Sequence, residues 1–346
     1  MEVDYMVVGL GLAGLAFCRA LDENNKTYIV FENNSQRASK VAGGMYNPVI
    51  LKRFTPVWNG TKQLKTALPF YTEFEKQFKK RYHYSVDIYR IFKSIEEQNN
   101  WFVAADKPFL SEYLKPEILH TLNKGVISKN GYGIVTNTGR IDTNSLLADF
   151  NEYLHQTKRI IEEEFEYNLL EICKNEVWYK NISASKIVFC EGFGIKANPF
   201  FNELPLQGTK GELITIKAPE LKVDFLIKGA VFVLPLGNDL YKVGATFNWT
   251  DKSNNATDEG RQELIRKLNT CISTPYQIVS HTAGIRPTVI DRRPLVGRHH
   301  KYDNIAVLNG LGTRGVMLAP VMAKILYNNL EGNKPISQEI SLNRFH

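Results

Sequence analysis

A glycine turn close to the N-terminus constrains the fold of this chain more than any other feature. The segment GLGLAG, residues 9–14, carries its three glycines at GxGxxG spacing. It lies between a predicted strand over residues 4–8 and a predicted helix over residues 12–22, and a second strand is predicted over residues 27–32. Such a unit sets a helix N-terminus against a pyrophosphate, because the glycines allow a tight turn, a close backbone approach and close helix packing. The pattern predicts a Rossmann-like unit, and a glycine turn that binds nothing is the plainer alternative.

The second predicted strand ends in Glu32, 18 residues after Gly14. An acidic side chain at this place is suited to accept hydrogen bonds from the hydroxyls of an adenosine ribose. The same carboxylate would repel a 2′-phosphate, so NADP is disfavoured.

A loop of small residues follows at residues 38–48. Its first part, ASKVAGGM, suits a backbone that packs against a flat ring or a diphosphate. A nicotinamide enzyme of this type usually continues straight into another strand–helix unit, which this sequence does not do. An ordinary surface connection explains the loop equally well.

A third glycine-rich segment, NGLGTRGVMLAP at residues 309–320, lies between a predicted strand and a predicted helix over residues 316–330. The N-terminus of that helix can face a ligand on which negative charge develops. In a reduced flavin this charge collects around N1 and the C2 carbonyl, so a helix dipole there favours the two-electron reduced state. The alternative is a glycine turn that caps a core helix.

Residue patterns also place the other elements. Helices are predicted over residues 62–81 and 143–155, the second with Asp142 as its cap. Strands are predicted over residues 160–172 and in the segments GELITIK, AVFVLPLG and LYKVGATF, whose composition and turns favour an antiparallel sheet. No repeat or low-complexity linker separates the two halves, so two interleaved domains are expected.

Composition limits the class of protein. The 346 residues suit about two domains, and 43% hydrophobic with 23% charged residues is typical of a globular chain. Four scattered cysteines, together with no predicted signal peptide or membrane span, favour the cytoplasm. A net charge of +7 permits an acidic substrate or nucleic acid, but the basic cluster at residues 76–81 is interpreted as a solvated helix face. His299 and His300 are interpreted as a surface turn, and no metal site is predicted.

Taken together, the chain resembles the D-amino-acid oxidase superfamily of FAD enzymes, and within it the glycine oxidase and sarcosine oxidase branch. The resemblance covers almost the whole length and is strongest in GLGLAG…IVFE, ASKVAGGM, AGIRPTVIDRRPLVG and NGLGTRGVMLAP. It implies a mixed α/β protein in which a Rossmann-like FAD-binding domain is interleaved with a substrate domain on a mixed, largely antiparallel sheet. The FAD-binding domain would comprise residues 1–85, 140–205 and 282–346, and the substrate domain residues 86–139 and 206–281.

The glycine segments and the resemblance together predict the residues that contact FAD. Phe165 is similar to a family residue that brackets the adenine. In sarcosine oxidases a cysteine ties the flavin covalently, and none occurs between Gly284 and Pro320, so a non-covalent FAD is expected. The predicted contacts are Gly9, Gly11, Leu12, Ala13, Gly14, Glu32, Asn33, Ala38, Ser39, Ala42, Gly43, Gly44, Met45, Phe165, Gly192, Gly310, Gly312, Thr313, Arg314, Gly315 and Val316.

Three cationic residues are catalytic candidates. Arg286, in the segment GIRP, matches the arginine that binds the substrate carboxylate in glycine oxidases, and a guanidinium fork suits that task; a structural salt bridge is the alternative. Glycine oxidases carry a second arginine where this chain has Thr313, so Arg314, one residue later, could face the flavin, the substrate or neither. Lys242 is near the position of a cation that helps oxidases reduce oxygen, although a strand lysine usually faces solvent.

These residues predict an enzyme that oxidises the C–N bond of a small amino acid or secondary amine by hydride transfer to flavin N5. Positioning and electrostatics supply most of such catalysis, and no general base is named. The partners would be a carboxylate-bearing amine and oxygen or another electron acceptor. One alternative acts on a carboxymethylamino group of tRNA, for which a pI of about 9.0 is suitable. Another is a non-catalytic flavin or electron-transfer protein, against which Arg286 argues.

Overall fold

The computed structural model describes residues 1–120 and 123–345. The described chain is a mixed α/β protein with two large sheets. Its helices are α1 (Leu12–Asp22), α2 (Ala38–Val41), α3 (Gly60–Phe78), α4 (Ile95–Ala105), α5 (Thr143–Gln156), α6 (Asp258–Leu268) and α7 (Gly315–Gly332). Its strands are β1 (Glu2–Val8), β2 (Tyr28–Phe31), β3 (Met45–Tyr46), β4 (Val49–Ile50), β5 (Thr55–Pro56), β6 (His83–Ser85), β7 (Ile88–Ile91), β8 (Leu114–Leu119), β9 (Tyr132–Val135), β10 (Gly139–Ile141), β11 (Ile160–Ile161), β12 (Leu170–Ile172), β13 (Val177–Tyr179), β14 (Ile182–Phe189), β15 (Thr209–Lys217), β16 (Leu226–Lys228), β17 (Phe232–Gly237), β18 (Leu240–Gly244), β19 (Gln277–Arg286), β20 (Leu295–Arg298) and β21 (Ile305–Asn309).

The first large sheet holds the glycine turn. Its parallel part runs β11-β2-β1-β14-β21, and β12, β13 and β20 join it in antiparallel pairs. The central residues of β1, Tyr5, Met6 and Val7, are fully buried, because a parallel sheet is covered on both faces. Helices α1, α3, α5 and α7 cover one face and form a shared core with β1. The predicted strand–helix–strand unit is therefore present.

The second large sheet has the order β19-β15-β18-β17-β16-β7-β9-β8. Its pairs are antiparallel except β16 with β7. The prediction of an antiparallel sheet from GELITIK, AVFVLPLG and LYKVGATF is confirmed, because these segments form β15, β17 and β18. The two sheets draw their strands from different stretches of the chain, and the predicted domain boundaries stay a prediction.

Several element boundaries differ from the prediction. Helix α3 ends at Phe78, where Lys79 adopts a left-handed φ of 50°, so the prediction of a basic helix face is wrong beyond Lys76. Lys80 instead pairs with Asp149 at 2.7 Å and Arg81 stacks on Tyr84.

The stretch 160–172 is also not one strand. Two short strands, β11 and β12, flank a 3-10 turn, and Phe165 lies in the connection between them. His299 is buried, at 8% exposure, where it packs on Phe201 and Tyr302, so its assignment to a surface turn is wrong. Asp142 does cap α5, since its carboxylate accepts the N–H of Ser145. In the described part of the chain no helix has the length and apolar character to cross a membrane.

Candidate active site

One cavity of about 960 Å³ opens where the strands of the first sheet end. The residues that follow β1, β2, β14 and β21 line one side, and the second sheet lines the other. Ligands of open parallel sheets bind at the carboxyl ends of the strands, and this cavity has that position.

The glycine turn shapes the cavity wall beside α1. Gly9 has a φ of +96°, and a Cβ on Gly14 would lie 2.0 Å from the carbonyl oxygen of Gly9, so neither position tolerates a side chain. Helix α1 begins at Leu12, whose N–H donates to Ser39 Oγ at 3.1 Å. Within the described residues, the N–H groups of Gly11 and Ala13 donate to no acceptor. Free donors at a helix N-terminus form an anion site, which suits a pyrophosphate.

Glu32 lies beside this turn and is 7% exposed. The backbone N–H groups of Leu10 and Asn34 donate to its two carboxylate oxygens, the second at 2.6 Å. Each oxygen retains a further lone pair, so the carboxylate can still accept hydrogen bonds from a ribose. Glu32 also lines the cavity, as the predicted role requires.

The segment after β2 contains the short helix α2 where an irregular loop was predicted. Gly44, which follows α2, has a φ of +65°, and a Cβ there would lie 1.8 Å from the carbonyl oxygen of Ile141. Lys242 Nζ donates to the carbonyl oxygens of Val41 and Ala42, at 3.3 and 3.2 Å. Burial lowers the pKa of this lysine. The ammonium of Lys242 therefore supports the segment, and Lys242 does not itself line the cavity.

Arg286 ends β19 and lines the cavity. Its Nη1 donates to the carbonyl oxygen of Thr246 at 3.3 Å, and Phe247 covers the guanidinium at 4.5 Å from Cζ to the ring centroid. A Cβ on Gly211 would lie 2.0 Å from Nη2 of Arg286, so the guanidinium occupies the space that a side chain at position 211 would need. Burial lowers the pKa of Arg286 to about 10, and among the described residues no carboxylate forms an ion pair with it.

The N-terminus of α7 also faces the cavity. Thr313, Gly315 and Val316 line it, and their N–H groups donate to no acceptor within the described residues. Arg314 is the N-cap residue but does not line the cavity; burial and the charges of Arg293 and Arg292 lower its pKa. The structure therefore places the free N–H groups of the helix at the cavity and not the guanidinium of Arg314.

The part of the cavity next to Phe165 contains an acid that the sequence patterns did not single out. Phe165 lines the cavity and stacks on Tyr179, with ring centroids 4.2 Å apart. Glu191 lines it as well, and Tyr167 Oη and Asn198 Nδ2 donate to its carboxyl group. Burial raises the pKa of Glu191 to about 7, although both hydrogen bonds oppose the rise. The sequence signal that could have identified Glu191 is an acidic residue between the end of a buried strand and a glycine.

Most of the predicted contacts do meet in the cavity. Gly14, Gly310, Lys242 and Arg314 do not line the cavity. The two glycines instead leave room for the carbonyl oxygen of Gly9 and for the side chain of Val289. The predicted residues that line the cavity are Gly9, Gly11, Leu12, Ala13, Glu32, Asn33, Ala38, Ser39, Ala42, Gly43, Gly44, Met45, Phe165, Gly192, Arg286, Gly312, Thr313, Gly315 and Val316.

Other lining residues were missed because they come from distant parts of the chain. Asn309 donates from Nδ2 to the carbonyl oxygen of Gly192 at 2.8 Å and so joins the ends of β21 and β14. Phe247, Lys228 and Lys267 lie on the side of the second sheet. Lys228 lies on β16, Phe247 follows β18 and Lys267 lies on α6, so the packing of distant elements brings them to the cavity and no local pattern marks them.

The fold and the cavity define an α/β protein that holds a dinucleotide cofactor at the ends of parallel strands. The family described as FAD dependent oxidoreductase (DAO) matches residues 4–328, and the chain belongs to this family. The predicted family, enzyme class and FAD cofactor are thereby confirmed. The residues present fit FAD, because the glycine turn leaves free N–H groups at the cavity for a pyrophosphate and Glu32 lines the cavity beside it.

Two curated relatives are similar over part of the chain. Glycine oxidase from Pseudomonas aeruginosa is 27% identical over 161 residues, which cover 45% of this chain and 44% of the relative. The tRNA 5-methylaminomethyl-2-thiouridine biosynthesis bifunctional protein MnmC from Idiomarina loihiensis is 28% identical over 157 residues, 42% of this chain and 25% of the relative. The chain thus spans less than half the length of each of these relatives.

A solved structure shares the whole architecture. Glycine oxidase from Geobacillus kaustophilus superposes with a TM-score of 0.80, covers 97% of this chain and 96% of its own, and is 17% identical. This likeness confirms the predicted mixed α/β fold class.

Proposed function

We propose that the protein oxidises the C–N bond of a small amino acid or an N-substituted glycine whose carboxylate is bound by Arg286. The observation that carries this proposal is a partly buried guanidinium that lines the cavity and forms no ion pair with a described carboxylate. A charge withdrawn from water without a partner is unfavourable, and a substrate carboxylate would supply the partner.

The surroundings of Arg286 leave it able to bind in this way. One N–H is taken by the carbonyl oxygen of Thr246, and Phe247 covers one face of the fork. A guanidinium has five N–H donors, so an edge remains for two parallel hydrogen bonds to a carboxylate. Gly211 keeps the fork in place, because any larger residue would displace Nη2.

When bound, FAD would supply the acceptor for the hydride that leaves the substrate carbon. The substrate amine would release a proton, and water would convert the imine to a carbonyl compound and an amine. The residues of the chain orient the reactants. Arg286 would fix the carboxylate, and the free N–H groups of Thr313, Gly315 and Val316 would stabilise negative charge on a reduced cofactor held at the N-terminus of α7. Similarity to glycine oxidase from Pseudomonas aeruginosa supports this assignment.

The test compares Arg286→Ala and Arg286→Lys with the wild type on glycine, sarcosine and glycinamide. Arg286→Ala should lose roughly 2–5 kcal/mol in kcat/KM on the two carboxylates, because their charge loses its partner in a partly dry site. Arg286→Lys should lose less, since it keeps the charge without the fork. Glycinamide should be affected little, and FAD content should be unchanged.

Arg261→Ala is the matched control, because Arg261 is an exposed arginine on α6. If Arg286→Ala slows glycinamide as much as glycine, Arg286 serves the fold or the cofactor and the assignment is wrong.

A second candidate substrate is a carboxymethylamino group on a tRNA uridine, which is chemically an N-substituted glycine. Phe247 favours it, because this aromatic ring is 62% exposed and lies directly over Arg286 at the cavity. Base stacking on an aromatic side chain contributes about 1–3 kcal/mol. Similarity to the MnmC protein from Idiomarina loihiensis also supports a tRNA substrate.

This candidate predicts faster anaerobic bleaching of the flavin absorbance by an RNA oligonucleotide carrying carboxymethylaminomethyluridine than by glycine. Phe247→Ala should slow the oligonucleotide roughly 5- to 100-fold and glycine little. Equal rates on both compounds in the wild type would favour the small amino acid instead.

A further inference from the structure

Two lysines line the cavity away from Arg286, and we call Lys228 and Lys267 the distal lysine pair. We propose that the distal lysine pair binds a second anionic group of the substrate, a carboxylate or a phosphate. The substrate would then be an extended molecule with an anion at each end. This inference rests on the proposed function, in which Arg286 holds the first carboxylate.

Strand register separates the two anion sites. Lys228 on β16 is connected by directly opposed pairs, through Phe232 on β17 and Gly244 on β18, to Leu213 on β15. Arg286 on β19 lies opposite Thr209 of β15, four residues before Leu213. Four strand spacings and, at right angles to them, four residues along a strand put the Cα atoms of Lys228 and Arg286 about 23 Å apart. With both side chains directed into the cavity, the two bound anions would be on the order of 10 Å apart. Glycine cannot reach both sites.

The charges around Lys228 are not balanced by the protein. Lys267 already pairs with Glu263 at 2.5 Å, so Lys228 is the member of the pair whose charge no described carboxylate balances. No described residue accepts a hydrogen bond from Lys228 Nζ or forms an ion pair with it. Burial, followed by the charge of Arg90, lowers the pKa of Lys228 to about 8, which leaves the ammonium largely protonated at neutral pH.

Two other lysines that are at least partly buried show the contacts that a structural lysine makes. Lys210 pairs with Asp251 at 2.5 Å and lies 3.5 Å from Glu212. Lys242 donates to two carbonyl oxygens. Among the described residues Lys228 has neither kind of partner, and it lines the cavity. A ligand anion would supply the partner that the fold supplies to the other two.

The first test measures binding of inorganic phosphate and of succinate to the FAD-loaded enzyme by calorimetry. The titrations use an Arg286→Met background, so that the distal lysine pair is the anion site under study. Lys228→Met should weaken phosphate binding about 10- to 100-fold, as expected for loss of a charged hydrogen bond. Lys324→Met is the control, because Lys324 is an exposed lysine on α7. Equal phosphate binding in Lys228→Met and Lys324→Met would overturn the proposal.

The second test uses an otherwise wild-type enzyme and N-alkylglycines whose chains end in a methyl, a carboxylate or a phosphate. Lys228→Met should lower kcat/KM about tenfold or more for the two anionic chains and leave the methyl-ended chain within about twofold. The carboxylate and phosphate arms distinguish the two sources of the anion. An equal loss on all three chains would overturn the proposal.

Failure of the two proposals can be told apart. If Arg286 does not hold the first carboxylate, Arg286→Ala will affect glycine and glycinamide alike, whatever Lys228→Met does. If only the distal lysine pair is wrongly assigned, Arg286→Ala will discriminate between them as expected, and Lys228→Met will bind phosphate as the Lys324→Met control does.

Discussion

Arg286 carries a charge that the described protein around it does not neutralise. Its direct contacts include a carbonyl oxygen, an aromatic face and a glycine. Structural arginines of this chain look different: Arg90 pairs with Glu97 and Arg344 with Asp291. The contrast separates an arginine that stabilises the fold from one that is available to a ligand.

Glu191 gives a prediction at the same scale. Its pKa is about 7 in the folded chain against a usual value of 4.5, so the folded state holds the proton more tightly than the unfolded state does. The stabilisation is therefore complete below about pH 4.5 and is lost as pH rises through about 7. The loss should be on the order of 2–4 kcal/mol in the free energy of unfolding.

Urea unfolding of FAD-free protein at pH 5 and pH 8 measures this loss. Glu191→Gln is the matched variant, since its neutral amide can still bond to Tyr167 and Asn198 without titrating. We expect the wild type to lose more stability between the two pH values than Glu191→Gln does. The same pH dependence in both proteins would show that another group is responsible.

At the scale of elements, helix α2 and the following turn depend on a support from the second sheet. Lys242 Nζ on β18 holds the carbonyl oxygens of Val41 and Ala42. Lys242→Met should weaken FAD binding by on the order of 1.5–3 kcal/mol, because the segment that lines the cavity loses charged hydrogen bonds. Titration of FAD-free protein with FAD measures the change.

Lys217→Met on neighbouring β15 is the control for Lys242→Met, because Lys217 is exposed. One outcome would instead support the role predicted from the sequence, in which Lys242 helps the reduced flavin to react with oxygen. If FAD binds with unchanged affinity while only the reaction of the reduced enzyme with oxygen slows, the lysine acts on the flavin directly.

At the scale of the whole molecule, most residues singled out by local patterns lie on one side of the cavity. The residues that follow β1, β2 and β21 lie within short stretches where turn, helix start and strand end are all visible in the sequence. Positions on the second sheet could not be predicted in this way. Gly211 meets Arg286 through the pairing of β15 with β19, residues more than 70 positions apart. Lys228 reaches the cavity through a five-strand order that no local signal sets.

The wrong element boundaries also arise where conformation or strand pairing is not visible in a local pattern. Lys79 ends α3 in a left-handed conformation, which helical periodicity does not reveal. Phe165 lies in a connection, because only the two ends of the stretch 160–172 pair with neighbouring strands, as β11 and β12. The absence of a covalent flavin link stays a prediction, drawn from the lack of cysteine between Gly284 and Pro320.

The missing side chain at Gly211 has a consequence for how this enzyme can change over time. The guanidinium of Arg286 occupies the volume that any other residue at 211 would need. Alanine at 211 would push the fork out of place before any substrate arrived. Substitutions at positions 211 and 286 should therefore be correlated among related proteins. A relative that lacks the glycine should bind the carboxylate with a residue at another position.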